Sequence, residues 1–215
     1  SDNTLSGTIS EVEFDGDNGI WIAEYGAGVF YLDLRLNKAI EMFPNARWPK
    51  YAWKISDAGK FLVVTLMQGV LVVDKQTSEI QSWANSIGVE KVSDVLSISP
   101  AQSGVVYLAS KSALLKVDTV AQVVSRFELS TEFGSLSSID AVTMEGDIVY
   151  IGGNEGIYEW NEKSGIKTFY PFHPSIKLRD KVSAIFVTKT GRILVGAGGL
   201  FALENKFVQT PDFLE

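Results

Sequence analysis

A small residue followed by two apolar residues recurs five times in this 215-residue chain, and its spacing constrains the fold more than any other feature. The small residues lie 41, 44, 43 and 43 positions apart. A steady period of this length indicates a repeat architecture, in which each repeat buries its apolar surface against its neighbours. The five positions are Gly28, Gly69, Ala113, Gly156 and Gly199.

Each repeat contains four short apolar segments separated by turn residues. In the fourth repeat, for example, "VYIG" at 149–152 and "GIYEW" at 156–160 precede a run that ends on Phe169. Short runs rich in Val, Ile and aromatic residues, punctuated by Gly, Asp and Asn, predict β-strands. Four antiparallel strands in a unit of this length are typical of a propeller blade. We therefore predict an all-β fold: a β-propeller of about five four-stranded antiparallel blades, or part of a larger propeller.

The predicted blades cover almost the whole chain, so we expect residues 1–215 to form a single domain. Each fourth strand is predicted to end on an aromatic residue, which is Trp83 in the second blade. Residues 1–7 offer no convincing outer strand, whereas Lys206–Gln209 can supply that of the last blade. We therefore expect either closure by packing alone or an open arc that associates with a second copy. The predicted blades span residues 8–43, 51–83, 92–127, 136–169 and 181–209.

One segment also fits a helix. Apolar residues at positions 114, 117, 120, 124 and 127 follow a helical period. The repeat alignment instead predicts strands at 113–117 and 122–127 with a turn at 118–121. Because the four sister repeats show no helical period here, we predict two strands, and no helix longer than about two turns anywhere in the chain.

Composition narrows the classes of function. The net charge of −7 and the scattered basic residues disfavour nucleic-acid binding. The chain has no cysteine, so neither disulfides nor thiol chemistry can contribute. Its longest apolar stretch, residues 61–73, is shorter than the roughly 20 residues of a membrane helix. We therefore expect a membrane to be involved only through a segment outside this chain.

The sequence shows no legible catalytic centre. His173 is the only histidine, so a multi-histidine metal site cannot be assembled, and no Ser–His–Asp grouping is legible in the sequence. Gly196 and Gly198 begin a dinucleotide-like pattern, but Phe201 occupies the place of the third glycine. We therefore expect a non-enzymatic domain with no catalytic residue, metal or cofactor.

Two other functions remain open. A propeller hydrolase, lactonase-like or lyase-like enzyme could use acidic and amide residues of the strand two–three loops around a metal. A quinoprotein-like scaffold is suggested by the Asp, Thr and Trp spacing of "VVDKQTSEIQSW" at 72–83. That spacing occurs in a single repeat.

In a propeller, the loops between the second and third strands share one face with the segments that join consecutive blades. The residues predicted on that face are aromatic, amide-bearing and charged with both signs, which suits a small polar ligand or the loop of a protein partner better than a metal. Trp48, beside Arg47 and Lys50, suits either ligand contact or pinning of its own loop. The candidate binding residues are Glu24, Tyr25, Arg47, Trp48, Met67, Gln68, Lys111, Asn154, Glu155, His173 and Arg179.

The first repeat also has a more specific pattern, which resembles the two-component regulator propeller repeat. That repeat runs from an apolar strand through Asp-x-x-Gly to a Trp-Ile-Gly-like strand, then Gly-Gly-Leu and an Asp. The matching residues are Asp15, Gly19, Trp21, Ile22, Gly28, Val29 and Asp33 in the first blade, Tyr150, Ile151, Gly152, Gly156 and Ile157 in the fourth, and Gly191, Val195, Gly196, Gly199 and Leu200 in the fifth. The second and third blades depart from it, with Val64-Thr65 and Ala109-Ser110 where glycine is usual.

The resemblance implies a location and a role. Propellers of that family are extracytoplasmic input domains of membrane-bound histidine kinases, hybrid two-component proteins or diguanylate cyclases. They usually contain more than five blades. On this resemblance we expect a periplasmic, non-enzymatic sensor domain of a bacterial signal-transduction protein.

Overall fold

The computed structural model describes residues 8–15, 18–66, 69–86, 95–172, 182–188, 191–197, 199–204 and 206–209. Nearly all regular structure among them belongs to five small antiparallel sheets. The longest helix in this described part is a 3-10 helix of 5 residues. The predicted fold class, an all-β propeller, is therefore confirmed. No helix within these ranges is long and apolar enough to cross a membrane.

Consecutive strands pair with one another in every sheet. The first sheet contains β1 (Thr8–Asp15), β2 (Gly19–Tyr25), β3 (Gly28–Asp33) and β4 (Lys38–Met42), and the second contains β5 (Ala52–Ala58), β6 (Phe61–Leu66) and β7 (Gly69–Asp74). The third contains β8 (Val95–Ile98), β9 (Val105–Ser110), β10 (Ala113–Asp118) and β11 (Val123–Glu128). The fourth contains β12 (Ala141–Glu145), β13 (Ile148–Gly153), β14 (Gly156–Asn161) and β15 (Lys167–Pro171), and the fifth β16 (Ala184–Val187), β17 (Ile193–Gly196), β18 (Leu200–Glu204) and β19 (Lys206–Gln209). The helices are the 3-10 helices Trp48–Tyr51 and Ser82–Ser86 and the short α-helix α1 (Leu129–Glu132).

The segment with a helical period is the hairpin of β10 and β11, as the repeat alignment predicted. Asp118 ends β10, and its Oδ1 atom accepts hydrogen bonds from the backbone N–H groups of Val120 and Ala121 at 3.0 and 2.8 Å. This local turn reverses the chain where a helix would have continued.

The same turn follows the third strand of other sheets. The Oδ1 atom of Asp33 accepts the N–H groups of Arg35 and Leu36, and that of Asp74 accepts those of Gln76 and Thr77. Hydrogen bonds to Leu36 and Thr77 are the main reason why the pKa values of these two carboxyl groups lie below their ordinary range. Asn161 accepts Ser164 N–H in the equivalent turn of the fourth sheet. The Asp of the repeat motif is therefore a turn residue.

The predicted glycine turns between the first and second strands are present in four sheets, where the glycines adopt φ values between 58° and 80°. The first sheet differs, because Gly19 opens β2. The ring of Tyr31 lies against it, and a Cβ atom there would stand 2.4 Å from Tyr31 Cζ. Glycine is therefore required at position 19 for packing rather than for the turn. The four turn glycines are Gly59, Gly104, Gly146 and Gly191.

The prediction of a fourth strand in the second sheet was wrong. After β7 the chain forms only an isolated bridge between Val73 and Ile80, and residues Ser82–Ser86 then turn into a 3-10 helix. Gln81 N–H still donates to Val72 O of β7 at 2.8 Å, but Ala84 N–H donates to Gln81 O at 3.2 Å, so beyond Gln81 the backbone bonds locally. Trp83 still packs on its own sheet, with its ring centroid 6.4 Å from that of Phe61.

The first strand of the fourth sheet begins later than the predicted Leu136. It begins at Ala141, because α1 and the turn at Phe133–Leu136 occupy the preceding residues. Phe133 and Leu136 are buried, so this apolar stretch packs as a connecting segment instead of extending the sheet.

The chain comprises two compact units. The first unit consists of Ser1–Val95, Ser103–Val106 and Val117–Ser125, and the second of Leu96–Gln102, Tyr107–Lys116 and Arg126–Glu215. The first unit contains the first and second sheets, and the second unit contains the fourth and fifth.

Sheets stack face to face within each unit, which explains the apolar runs of the sequence. We call the face of a sheet that packs on the next sheet its forward face, and the opposite face its backward face. In the first unit the forward face of the first sheet, with Trp21, Ala23 and Val29, packs on the backward face of the second, with Ile55, Leu62, Val64 and Val73. In the second unit the forward face of the fourth sheet, with Ala141, Tyr150 and Ile157, packs on the backward face of the fifth, with Ile185, Ile193, Val195 and Phe201.

The predicted core role of the strand-two aromatics is confirmed, but the alignment of the second blade is one residue off. Glu24 pairs with Gly28 in the first sheet, leaving three residues between them, whereas Leu66 pairs with Gly69 and leaves two. The register therefore places Val63, rather than Leu62, at the position of Trp21. A one-residue shift moves side chains to the opposite face, so Leu62 faces the first sheet.

Candidate functional site

The strand two–three turns lie beside the segments that leave the fourth strands. Gly26 N–H donates to Lys50 O at 3.0 Å, Leu129 N–H to Ser112 O at 2.9 Å, and Phe172 N–H to Glu155 O at 3.0 Å. The same backbone contact thus recurs in the first, third and fourth sheets. In these sheets the chain leaves the outer strand and passes the end of the sheet that carries the turn between the second and third strands. We call this end of the sheet the turn edge.

An exposed aromatic pair lies on the turn edge of the first unit. Tyr25 ends β2, and Trp53 lies near the start of β5; their ring centroids are 5.9 Å apart with an interplanar angle of 84°. The exposed fractions are 42 % for Tyr25 and 45 % for Trp53, and Tyr51 nearby reaches 56 %. Rings with an accessible face and a polar end offer both stacking and hydrogen bonds to a ligand.

Sequence reasoning missed Trp53 and Tyr51. Simple alternation does not give the signal, because Ala52 and Ile55 are both buried although they lie three positions apart; the register shifts between Ala52 and Lys54, and this irregularity leaves Trp53 without a pairing partner on β6. Ala52 is buried, and Trp53 points to solvent.

Trp48 and Arg47 are neighbours in sequence but differ in burial. Trp48 is half-buried against the core of the first unit, with its ring centroid 5.1 Å from that of Phe43. Arg47 is exposed at the start of the 3-10 helix, and Pro49 within that helix is buried. Trp48 therefore pins this segment to the sheet, and Arg47 supplies a positive charge on the surface.

Glu24 lies inside the protein and not in a loop. It belongs to β2, pairs with Ile9 on one side and Gly28 on the other, and its side chain is fully buried. Its placement at the surface of the predicted site was therefore wrong. The three-residue connection of the first sheet keeps Glu24 within the strand and moves the turn to Tyr25–Ala27.

Glu155 and Asn154 form the two-residue turn between β13 and β14 in the second unit. The Oε2 atom of Glu155 accepts a hydrogen bond from Ser137 N–H at 3.0 Å. Although partial desolvation raises the pKa of Glu155, the hydrogen bonds involving Ser137 hold it below its ordinary value. Glu155 thus orders the segment that leads to β12, while Asn154 and Lys111 are exposed on their turns. Four other candidates, Met67, Gln68, His173 and Arg179, lie outside the described residues.

A polar cluster lies between the first strands of the first and second sheets. Lys54 Nζ is 2.8 Å from Glu11 Oε2, and Lys75 Nζ donates to both oxygens of Asp57 at 2.8 and 2.9 Å. Burial, reinforced by the charges of Glu11 and Asp57, raises the pKa of Glu13 to about 7. These carboxylates do not make a metal site, since no group of three or more metal-ligating residues occurs in the part described. The cluster joins two sheets and surrounds one carboxyl group, that of Glu13, whose pKa lies near neutral pH.

The molecule is thus a β-propeller whose turn edges carry exposed aromatic and polar side chains. No protein-family model and no curated protein matches the sequence. Solved structures do match. The extracellular domain of the hybrid two-component system BT4673 from B. thetaiotaomicron superposes with a TM-score of 0.72 at 16% identity, over 98% of this chain and 28% of that one. The extracellular domain of BT3049 from the same organism gives 0.68 at 15% identity, over 95% and 30%.

An enzyme shares the fold equally well. Streptogramin B lyase gives a TM-score of 0.71 at 11% identity, over 98% of this chain and 72% of the lyase. At these identities the likenesses show the fold alone. The chain spans less than a third of the length of the two sensor domains.

Proposed function

We propose that this chain is a non-enzymatic sensing propeller of a bacterial two-component protein, located outside the cytoplasm, that binds a polar organic ligand or the loop of a protein partner. Two kinds of support agree. The sequence pattern of the first, fourth and fifth repeats resembles that of sensor propellers, and two of the matching solved structures are extracellular domains of two-component systems.

The observation that carries the binding role is the Tyr25–Trp53 pair on the turn edge. Two large rings are left partly exposed there, although the chain buries the other aromatic residues of its second strands, Trp21, Phe61, Tyr107 and Tyr150. Arg47 and Lys50 are exposed on the adjoining helix and add positive charge. Aromatic faces beside basic groups suit an organic molecule with a flat apolar side and an anionic or hydroxylated rim.

A thermal-shift screen of small polar organic molecules tests this proposal. A ligand present at about 100 times its Kd stabilises the folded state by about 2.7 kcal/mol, which shifts the melting temperature of a domain this size by roughly 5–10 °C. We expect such a shift in the wild-type chain and its loss in the Tyr25→Ala, Trp53→Ala double variant. Ile166→Ala, which changes an exposed residue in the turn between β14 and β15, is the matched control. A ligand whose shift survives in the double variant binds elsewhere.

The enzymatic alternative rests on the fold shared with streptogramin B lyase. It requires a set of acidic, amide or histidine side chains around a reacting group, and Glu24, which could have contributed, is buried in β2. Incubating the purified chain with lactone and cyclic depsipeptide substrates, with and without divalent metal, separates the two functions. Turnover that disappears when the divalent metal is removed would favour the enzymatic function.

A further inference from the structure

The turn between β1 and β2 contains Asn18 followed by Gly19, and nowhere else in the sequence does glycine follow asparagine. Asparagine is among the thermolabile residues. The backbone nitrogen of the next residue can attack the carbonyl carbon of its side chain, and glycine hinders this attack least because it has no Cβ atom. By its chemistry, Asn18 is therefore the most reactive asparagine of the chain.

The structure leaves the Asn18 side chain accessible. Asn18 is an exposed turn residue, and its side chain forms none of the hydrogen bonds found among the described residues. Asn161, at the start of the turn between β14 and β15, differs because its Oδ1 atom accepts the N–H of Ser164 at 2.9 Å. The side-chain carbonyl carbon of Asn18 can therefore rotate toward the nitrogen of Gly19.

Two backbone hydrogen bonds hold this turn. Asn18 N–H donates to Asp15 O at 3.1 Å, and Leu34 N–H donates to Asn18 O at 3.2 Å. Both distances lie toward the long end of the ordinary range, and turns at the ends of strands open at a small cost in free energy. The main-chain rotation that ring closure needs is thus restrained but accessible in the folded protein.

The packing of the first sheet keeps glycine at position 19. A Cβ atom there would stand 2.4 Å from Tyr31 Cζ and 2.7 Å from Leu32 O. The Tyr31 ring in turn packs on Trp21, with ring centroids 4.9 Å apart. A larger residue at position 19 would displace this ring, so the reactive pair is a consequence of how the sheet packs.

We propose that Asn18 is a site of spontaneous deamidation in the folded protein. The Gly19 nitrogen loses its proton to solvent base and attacks Cγ of Asn18; the N–Cγ bond forms, the Cγ–Nδ2 bond breaks, and ammonia leaves. Water then opens the resulting succinimide at either of its two carbonyl groups. The products are aspartate and isoaspartate at position 18, each with one new carboxylate.

The isoaspartate product disturbs the end of the first sheet. It adds one carbon atom to the main chain immediately before Gly19, which pairs with Asp15 on one side and Asp33 on the other. It also removes from the main chain the Asn18 carbonyl group that accepts the N–H of Leu34. The new carboxylate arises beside two acidic neighbours in the ladder. We therefore expect the isoaspartate form to be less stable than the unmodified protein.

Incubation of the folded 215-residue chain at mildly alkaline pH, followed by peptide mapping with mass spectrometry, tests the proposal. We expect a deamidated peptide at Asn18 and an unmodified Asn161 in the same sample. The modified protein carries one more negative charge than the −7 of the original, so ion exchange separates it. Asn18→Ser keeps a residue that suits turns and removes the amide, and it should yield no such fraction. Circular dichroism checks that this variant folds.

The purified isoaspartate fraction should melt roughly 2–4 °C below the unmodified protein, whereas Asn18→Ser incubated for the same time should keep its melting temperature. A parallel incubation in urea measures the reactivity of the pair without the fold. Asn18 that stays intact in the folded chain while the urea sample is converted overturns the proposal. Deamidation that maps to another asparagine also overturns it, and an isoaspartate fraction that melts like the unmodified protein overturns the expected disturbance of the sheet.

Discussion

The indole Nε1 of Trp21 donates a hydrogen bond to Oδ2 of Asp57 at 2.7 Å, and this bond links the first sheet to the second. Both oxygens of Asp57 also accept from Lys75 Nζ, whose charge lies 5.4 Å above the Trp21 ring. A buried aromatic residue, a carboxylate and an ammonium group thus satisfy one another across the junction between two blades. The stability of this junction can be measured by substitution.

Trp21→Phe keeps an aromatic ring in the core and removes the indole donor. We expect it to lower the free energy of unfolding by about 2 kcal/mol, because a hydrogen bond to a charged group is lost inside the protein and the smaller ring leaves unfilled volume. Urea denaturation measures the change, with Trp53→Phe on the surface as the control. In a double-mutant cycle with Lys75→Met, the two effects should be non-additive, since both side chains act on Asp57. Additive effects would show that the three groups do not form one network.

Glu13 makes stability depend on pH in an unusual direction for a carboxyl group. Its pKa in the folded protein is about 7, above the ordinary 4.5, so the folded state binds more protons than the unfolded state between these values. Stability should therefore fall as pH rises from about 5 to about 7.5, by about 2 kcal/mol once solvent screening is allowed for. The groups facing Glu13 are Glu11, Asp57 and Ser56, with Lys54 paired to Glu11.

Urea denaturation at a series of pH values, for the wild type and Glu13→Gln, checks this prediction. The amide keeps the shape of the side chain and cannot titrate, so the difference between the two proteins isolates Glu13 from every other group. The variant should lose the fall in stability above pH 5. Equal pH profiles for both proteins would assign the titration to another residue.

Asp118 tests the turn that recurs after the third strands. Asp118→Ala removes the acceptor of the Val120 and Ala121 N–H groups and should lower the free energy of unfolding by about 1 kcal/mol. Asp118→Asn keeps an acceptor oxygen, as Asn161 does in the fourth sheet, and should be close to the wild type. Thermal unfolding compares the three proteins. If Asn is as destabilising as Ala, the charge rather than the turn hydrogen bonds is what matters.

Trp48 should contribute to stability more than Arg47. Trp48→Ala removes a half-buried ring that packs on Phe43, and we expect a loss of about 2 kcal/mol, less than for a fully buried aromatic residue. Arg47→Ala changes an exposed side chain and should fall within about 0.5 kcal/mol of the wild type. Denaturant titration of each single variant makes the comparison. A stable Trp48→Ala protein would instead favour a ligand-contact role for this ring.

Much of the fold could be predicted because its signals are local. The period of the small residues, the glycine turns and the Asp at the end of the third strand depend on residues close in sequence, and the structure bears out all three apart from Gly19. The second blade was the exception. Its aromatic Trp83 matched the pattern of Phe43 and Phe127, but the chain after the Ile80 bridge forms a 3-10 helix. Here local hydrogen bonds compete with those of a strand ladder, and the amino-acid composition gives no clear sign of which will form.

The candidate site was less predictable. The predicted topology correctly placed the strand two–three turns beside the segments that connect the blades, since any propeller of this connectivity has that arrangement. Whether a residue there is exposed depends on the exact length of each hairpin. One extra residue in the first sheet keeps Glu24 in the strand and inside the protein, and a register irregularity at Trp53 leaves that ring exposed.

By itself, the amino-acid sequence determined the repeat, the strand content and the turns, because each is set by side chains within a few positions of one another. Only the tertiary structure decided the properties that depend on residues some 40 positions apart. The Trp21–Asp57 bond and the raised pKa of Glu13 exist because two stacked sheets exclude water between them.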